Sequence, residues 1–278
     1  MSLSESAIMD VQIPVFEFEK LSFAYPGQES EPALVGLDLE VGRGQCVCIL
    51  GANGSGKSTL LKLLDGLYLP SSGTFKAFGQ EITARLMEDK QFNSHFRKRV
   101  GFVFQDPDVQ LFLPTVRDEI AFAPLQAGFL DKDVIEMVES TASDLGLERL
   151  LDRPPYRLST GEKKKVAIAS VVTLDPEVWL MDEPTASLDP QTQSWIIDFI
   201  IGLKEKGRTL VIATHDLEIP YVAADLCYVI GQDHRLLASG SARQVLEDQG
   251  LLLEANLIHK HRHLHNGLIH SHRHDHWR

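Results

Sequence analysis

Gly51-Ala52-Asn53-Gly54-Ser55-Gly56-Lys57-Ser58 is the stretch on which the fold turns. Its glycines let successive backbone amides point inward around an anionic phosphate with no side chain in the way. Lys57 is placed to reach the β- and γ-phosphates, and the Ser58 hydroxyl to bind Mg²⁺; the spacing matches the glycine-rich phosphate loop position by position. Immediately upstream, Gln45-Cys46-Val47-Cys48-Ile49-Leu50 is short and apolar on both faces, which suits a central strand. Downstream, Leu60, Leu61, Leu63, Leu64 and Leu67 recur at helical spacing, and the positive end of that helix dipole meets the same phosphate. Strand, loop and helix together predict a nucleotide cradle formed by Gly51, Ala52, Asn53, Gly54, Ser55, Gly56, Lys57, Ser58 and Thr59. This stretch alone implies a nucleoside triphosphate and leaves the use of its energy open.

A second set of residues completes such a site. Val178-Trp179-Leu180-Met181 reads as a buried strand ending in Asp182 and Glu183. One carboxylate suits Mg²⁺ and its neighbour suits polarising an attacking water. His215 follows another buried strand, Thr209 to Ala213, and is placed to contact the γ-phosphate. At Leu158-Ser159-Thr160-Gly161-Glu162 a polar start leads into Val166-Ala167-Ile168-Ala169; a helix opened by Ser and Gly presents free amides to an anion.

Further outward, Val15 to Tyr25 and Ala33 to Val41 alternate apolar and polar residues like half-exposed strands. Asp131 to Leu145 reads as a helix with Val134, Ile135, Met137, Val138 and Leu145 on one face, stopped by Gly146. Asp189-Pro190 starts a helix carrying Ile196, Phe199, Ile200 and Leu203, ended by Gly207. Cys227 to Ile230 and Arg235 to Ala238 read as a closing hairpin. The expected organisation is a flexible lead-in over residues 1–14, a nucleotide-binding domain over 15–256 with a helical subdomain at about 84–173, and a histidine-rich tail over 257–278. An α/β core with an inserted helical unit is the simplest architecture.

Composition narrows the class. The 278 residues are 44% apolar and 24% charged, ordinary for a globular protein. A formal charge of −12 argues against nucleic acid as a partner. Cys46, Cys48 and Cys227 make no disulfide framework and no paired metal spacing, so a reducing cytosol is expected. No run approaches the roughly 18 apolar residues that span a bilayer, and residues 1–14 lack the pattern of a signal peptide. Any membrane connection is therefore expected to run through a partner.

Together these pieces resemble the ATP-binding cassette (ABC) family over roughly residues 15 to 250. The resemblance implies a P-loop ATPase core, a mixed sheet with flanking helices and an antiparallel β subdomain, and an inserted α-helical signature subdomain. It assigns Lys57 and Ser58 to the first phosphate motif, Asp182 and Glu183 to the second, Ser187-Leu188-Asp189 to the dimer-contact loop and His215 to the switch histidine. Gln105 becomes the glutamine that couples hydrolysis to the transporter and approaches nucleotide and Mg²⁺; Tyr25 takes the place of the aromatic stacked on adenine. Ser159 and Gly161 lie in the signature loop, in which Thr160 and Glu162 stand where the usual form has Gly and Gln. Glu162 then brings a negative charge near ATP, which Lys163, Lys164 and Lys165 could offset; the lysine run itself reads as a solvated helix face. The implied mechanism clamps each ATP between the phosphate loop of one subunit and the signature loop of another, with Glu183, His215 and Lys57 catalytic and ATP and Mg²⁺ as the bound groups.

Phe104-Gln105-Asp106-Pro107-Asp108-Val109-Gln110-Leu111-Phe112 looks like the extended coupling segment of energy-coupling-factor importers, the branch that takes up vitamins, nickel and cobalt. The implied partners are integral membrane subunits and a second, identical or similar ATPase, at the cytoplasmic face of the membrane. The tail alternates His259, His261, His263 and His265, then His270, His272, His274 and His276. In an extended chain alternate residues share a side, and neutral imidazoles bind Ni²⁺ or Co²⁺ until pH falls through about 6.5. Interleaved Lys260, Arg262, Leu264, Arg273 and Asp275 argue against an expression tag. The expected cargo is nickel or cobalt, with a vitamin, or soluble metal handling without a membrane partner, as alternatives. A genome-maintenance ATPase would need a long coiled coil between the two halves of the site, and only about a hundred residues without heptads separate Ser58 from Ser159. The ribosome-associated type usually carries two cassettes, and this chain has one.

Overall fold

Alternating polarity between Phe16 and Val41 becomes two antiparallel strands, β1 (Phe16–Phe23) and β2 (Leu34–Val41), in the computed structural model. The structure describes residues 13–258, and the backbone alone of 261–265 and 268–272. The chain continues through β3 (Cys46–Leu50), α1 (Lys57–Leu64), β4 (Ser72–Ala77), β5 (Gln80–Glu81), α2 (Ala84–Glu88), α3 (Lys90–Arg99) and β6 (Val100–Val103). Helices α4 (Pro107–Gln110), α5 (Val116–Gln126), α6 (Asp131–Leu145) and α7 (Thr160–Val172) follow. Strand–helix alternation then resumes with β7 (Val178–Asp182), α8 (Pro190–Glu205), β8 (Thr209–Thr214), α9 (Glu218–Ala223), β9 (Leu226–Ile230) and β10 (Leu236–Ser241). The described chain closes with α10 (Ala242–Glu247), α11 (Gln249–Glu254) and a strand pair, β11 (His261–His265) and β12 (Leu268–His272).

A six-stranded sheet runs in the order β10-β9-β3-β8-β7-β6, parallel except at β10, and a second sheet runs β2-β1-β4-β5. Strand β3 shows why its sequence is apolar throughout. Val47 and Ile49 enter the core shared with the antiparallel sheet and α1, whereas Cys46 and Cys48 enter the core beneath α8 to α11. Strand β7 divides likewise, Val178 and Leu180 to one side and Trp179 and Met181 to the other. Two-sided burial of this kind is the mark of a parallel sheet covered on both faces.

A third core, built from Val116, Ile120, Val134, Val138, Ala142, Val166 and Ala167 among others, lies within the helices α5 to α7. Three sequence expectations need correction here. Strand β6 sits inside the range read as helical from residue 84, yet it pairs with β7, so the separately packed helices begin after Val103. On α6 the inward face is Val134, Val138, Thr141 and Ala142; Ile135 is 60% exposed because it lies one residue, a rotation of 100°, off that face. Leu257 and Ile258, counted with the tail, pack against the core beneath α8 to α11.

Candidate functional site

The phosphate loop, the Asp182–Glu183 pair, His215 and Gln105 sit at one edge of the main sheet. The parallel strands β3, β8 and β7 end respectively before Gly51, His215 and Glu183, and β6 ends two residues before Gln105, at the edge where open α/β sheets bind ligands. Between β3 and α1 the loop closes tightly. Gly56 has φ 103°, and a Cβ there would come within 2.5 Å of the Ala33 carbonyl oxygen and 2.7 Å of Leu34 Cδ2. A side chain at Gly51 would meet the Ile230 carbonyl oxygen at 2.6 Å. Only glycine fits either position.

Lys57 is folded over this loop, its Nζ donating to the carbonyls of Gly51 at 2.9 Å and Ala52 at 3.2 Å. The same ammonium lies 3.3 Å from Glu183 Oε1, an ion pair between side chains each only 5% exposed. Ser58 Oγ donates to Asp182 Oδ1 at 3.0 Å. Burial pushes the Asp182 carboxyl above the usual carboxylate range, the Ser58 hydrogen bond pulls it back, and the neighbouring Glu183 charge adds to the rise.

Glu183 is held in the left-handed region at φ 41°, an uncommon conformation for a non-glycine residue at the end of a strand. Its Oε2 accepts from Thr214 Oγ1 at 3.2 Å and the His215 amide at 3.4 Å, and lies 2.9 Å from His215 Nδ1. Glu183 Oε1 and the Ser55 hydroxyl are both buried without a hydrogen bond. Two carboxylates and two hydroxyls supply hard oxygen donors that fit Mg²⁺, and the Lys57 ammonium over the glycine loop fits a polyphosphate. Tyr25 lies beside this loop: its hydroxyl bonds Thr59 Oγ1 at 2.8 Å, and its ring packs edge-on against Phe23 and Tyr68.

The signature residues are not brought to that loop. Ser159 caps α7 in a reciprocal capping box: its Oγ accepts from the Glu162 amide at 3.3 Å, and Glu162 Oε2 accepts from the Ser159 amide at 2.8 Å. The charge expected to face ATP is therefore turned back into the cap. Gly161 is pressed against α8, where a Cβ would meet Thr192 Oγ1 at 2.7 Å. Gln105 is exposed, next to β6.

The lysine run is not a solvated face, which corrects the sequence reading. Lys163 pairs with Asp108 at 2.6 Å, and the Lys165 ammonium sits 4.6 Å from the centre of the Trp195 ring. Lys164 is 1% exposed, and its Nζ donates to the carbonyls of Phe104 at 2.8 Å and Gln105 at 3.0 Å. Burial pushes this ammonium down to about 8. The helical period could have revealed it, because Lys164 lies three and four residues before the buried Ala167 and Ile168. Two other residues escaped notice in the sequence: Thr214, fully buried behind Glu183, and His234, whose ring lies 3.3 Å from the Ser55 carbonyl.

A sequence model described as ABC transporter matches residues 34–186, more than half of the chain. The chain belongs to the ABC transporter family. The nickel import ATP-binding protein NikO of Rhodobacter capsulatus is 47% identical over 248 residues, 88% of this chain and 96% of that protein. The energy-coupling factor transporter ATP-binding protein EcfA of Methanocaldococcus jannaschii is 39% identical over 243 residues, 87% of this chain and 85% of that one. Among solved structures, CbiO1 from Clostridium perfringens, part of the ABC transporter complex CbiONQ, aligns with a TM-score of 0.72 at 33% identity, covering 88% of this chain and 95% of that one. As an ABC transporter ATPase, the chain hydrolyses ATP in support of transport. Among the described residues no helix is long and apolar enough to cross a membrane.

Proposed function

We propose that this ABC transporter ATPase powers an energy-coupling-factor importer for nickel or cobalt ions, attached to the cytoplasmic face of the membrane through integral subunits. The observation that carries the reading is the coupling segment. Leading directly out of the nucleotide edge at Gln105, it exposes Val109 and Phe112, each 66% exposed, in a molecule whose apolar residues are otherwise largely buried. Phe112 packs edge-on against Phe122, and Phe122 lines a groove of about 450 Å³ with Met87, Arg97, Lys98 and Ala123. An apolar ridge beside such a groove suits the helices of an integral partner.

Two chains are needed for a complete site. Ser159 is engaged in the cap of α7 and Gly161 is pressed against α8, away from the phosphate loop of the same chain, so a nucleotide there is read as meeting signature residues from a second subunit, identical or similar. Ser58, Asp182 and Gln105 would hold a Mg²⁺ ion, which would shield the phosphate charge. Lys57 neutralises charge developing on the transferred phosphoryl group, His215 holds the γ-phosphate, and Glu183 orients and deprotonates the attacking water. Thr214 and the His215 amide fix the Glu183 carboxylate for that task.

Metal cargo is supported by the tail and by the similarity to NikO and CbiO1. In the β11–β12 ladder His261 pairs with His272 and His263 with His270, and paired residues of an antiparallel ladder share a face with alternate ones. The register therefore groups five histidines, His265 included, on one face. His259, His274 and His276 lie outside the described residues. The tail is read as a buffer or sensor for arriving cytosolic metal. Uptake of radioactive nickel, cobalt and vitamins in cells with and without this chain tests the reading: loss of nickel or cobalt uptake is expected, and loss of vitamin uptake alone would overturn the cargo.

A further inference from the structure

Helix α7 grips a different element with each of its three lysines, and the middle one has no surface role. Lys164 is enclosed, and among the described residues no carboxylate lies within ion-pair distance of its Nζ; the two hydrogen bonds found there go to the carbonyls of consecutive residues, Phe104 and Gln105. Enclosing an ammonium whose hydrogen-bond partners are neutral is costly, and Asp182, Asp106 and Glu183 offset that burial only from beyond contact distance. A methionine would fill the same space beside Ala167 and Ile168 without that cost, so what the lysine adds is the pair of donated bonds. Those bonds fix the peptide planes on both sides of the Gln105 α-carbon.

The surrounding contacts run in the same direction. Gln110 accepts from the Phe104 amide at 3.1 Å and donates to the Ala167 carbonyl at 2.9 Å and Ser170 Oγ at 3.1 Å. Lys163 holds Asp108 from outside. A cavity of about 200 Å³ separates this tie from Ser187 and Leu188, with Thr160 and Gln105 on its rim. Offsetting the Glu162 charge is not the purpose of Lys164, because that carboxylate is already engaged by the Ser159 amide.

We propose that Lys164 is a positioning residue for hydrolysis: it locks the main chain of Gln105 to the helix opened by Ser159, so that the coupling glutamine and the signature end move as one body. The inference rests on the ATPase chemistry of the family and not on the cargo, so a failed nickel or cobalt uptake assay leaves it standing.

The test uses the full chain in complex with its membrane subunits and reads kcat and KM for Mg-ATP. Lys164→Met should lower kcat by about tenfold or more with KM changed less than about threefold, the signature of contacts made only on the way to reaction. Lys164→Gln, a neutral donor one bond shorter, should recover part of the lost kcat. In a double-variant cycle with Gln105→Ala, the losses should not multiply, the pair falling within about twofold of the worse single variant. A Lys164→Met enzyme with kcat within about twofold of the parent, or losses that multiply with Gln105→Ala, overturns the proposal. Should Lys164→Met not fold, the same cycle run on Lys164→Leu, which also lacks a donor, decides the matter by the same criterion.

Discussion

Glu183 combines burial, a left-handed backbone and contacts to three neighbours in a single side chain. Replacing its carboxylate by an amide keeps the shape and removes the proton acceptor. Glu183→Gln should therefore bind Mg-ATP and dimerise while turnover falls about 10²–10⁴-fold, the span of a lost general base; steady-state hydrolysis and gel filtration with ATP check this, and normal turnover would remove Glu183 from its role. A second residue-scale expectation concerns Asp65, which is 4% exposed and bound by Arg97 at 2.6 Å. Burial pushes its carboxyl up to about 6 against the pull of that guanidinium. Between about pH 4 and 6 the folded chain thus keeps a proton that the unfolded chain releases, so this group's contribution to stability declines as pH rises across that window. Asp65→Asn should flatten this part of the pH–stability curve, as measured by urea unfolding at intervals from pH 4 to 7.

Elements divide sharply in how far their sequence betrays them. The phosphate loop was legible because its requirement is local: amides must face inward, and Gly51 and Gly56 are the only residues that fit. The ends of α6 and α8 were equally open to reading, with Gly146 in the left-handed conformation and Asp189 capping Thr192. Strand β6 was missed because Val100-Gly101-Phe102-Val103 is short and follows the basic helix α3 without a turn signal; only its pairing with β7 makes it a strand. Lys164 was misread because a run of like charges ordinarily faces water, and the carbonyls that receive it lie about sixty residues away in sequence. At this scale the coupling segment carries its own prediction. Phe112→Asp should leave ATP hydrolysis by the isolated chain within about twofold of the parent, since exposed substitutions away from special features change little. It should release the protein from membranes in a co-sedimentation assay; retention would place the docking surface elsewhere.

At the scale of the whole molecule, the boundary between domain and tail is set by packing. Leu257 and Ile258 pack against the core beneath α8 to α11, so the tail is cleanly removed after Ile258. A chain ending there should keep its ATPase rate and thermal midpoint while losing high-capacity Ni²⁺ binding in calorimetry. Ending it after Asn256 should also lower the midpoint, by about 2–4 °C for each kcal/mol of stability removed. Unchanged Ni²⁺ binding by the shorter chain would locate the metal elsewhere. The topology of the main sheet has a consequence for how the protein is made. Strand β3, which delivers the phosphate loop, is flanked by β8 and β9, so its neighbours are synthesised about 160 and about 180 residues after it. The carbonyl of Ile230, at the end of β9, closes against Gly51. A nascent chain still on the ribosome therefore exposes an apolar strand and an unsupported loop until nearly the whole cassette has emerged, and nucleotide can act as a late folding ligand only once that wait is over.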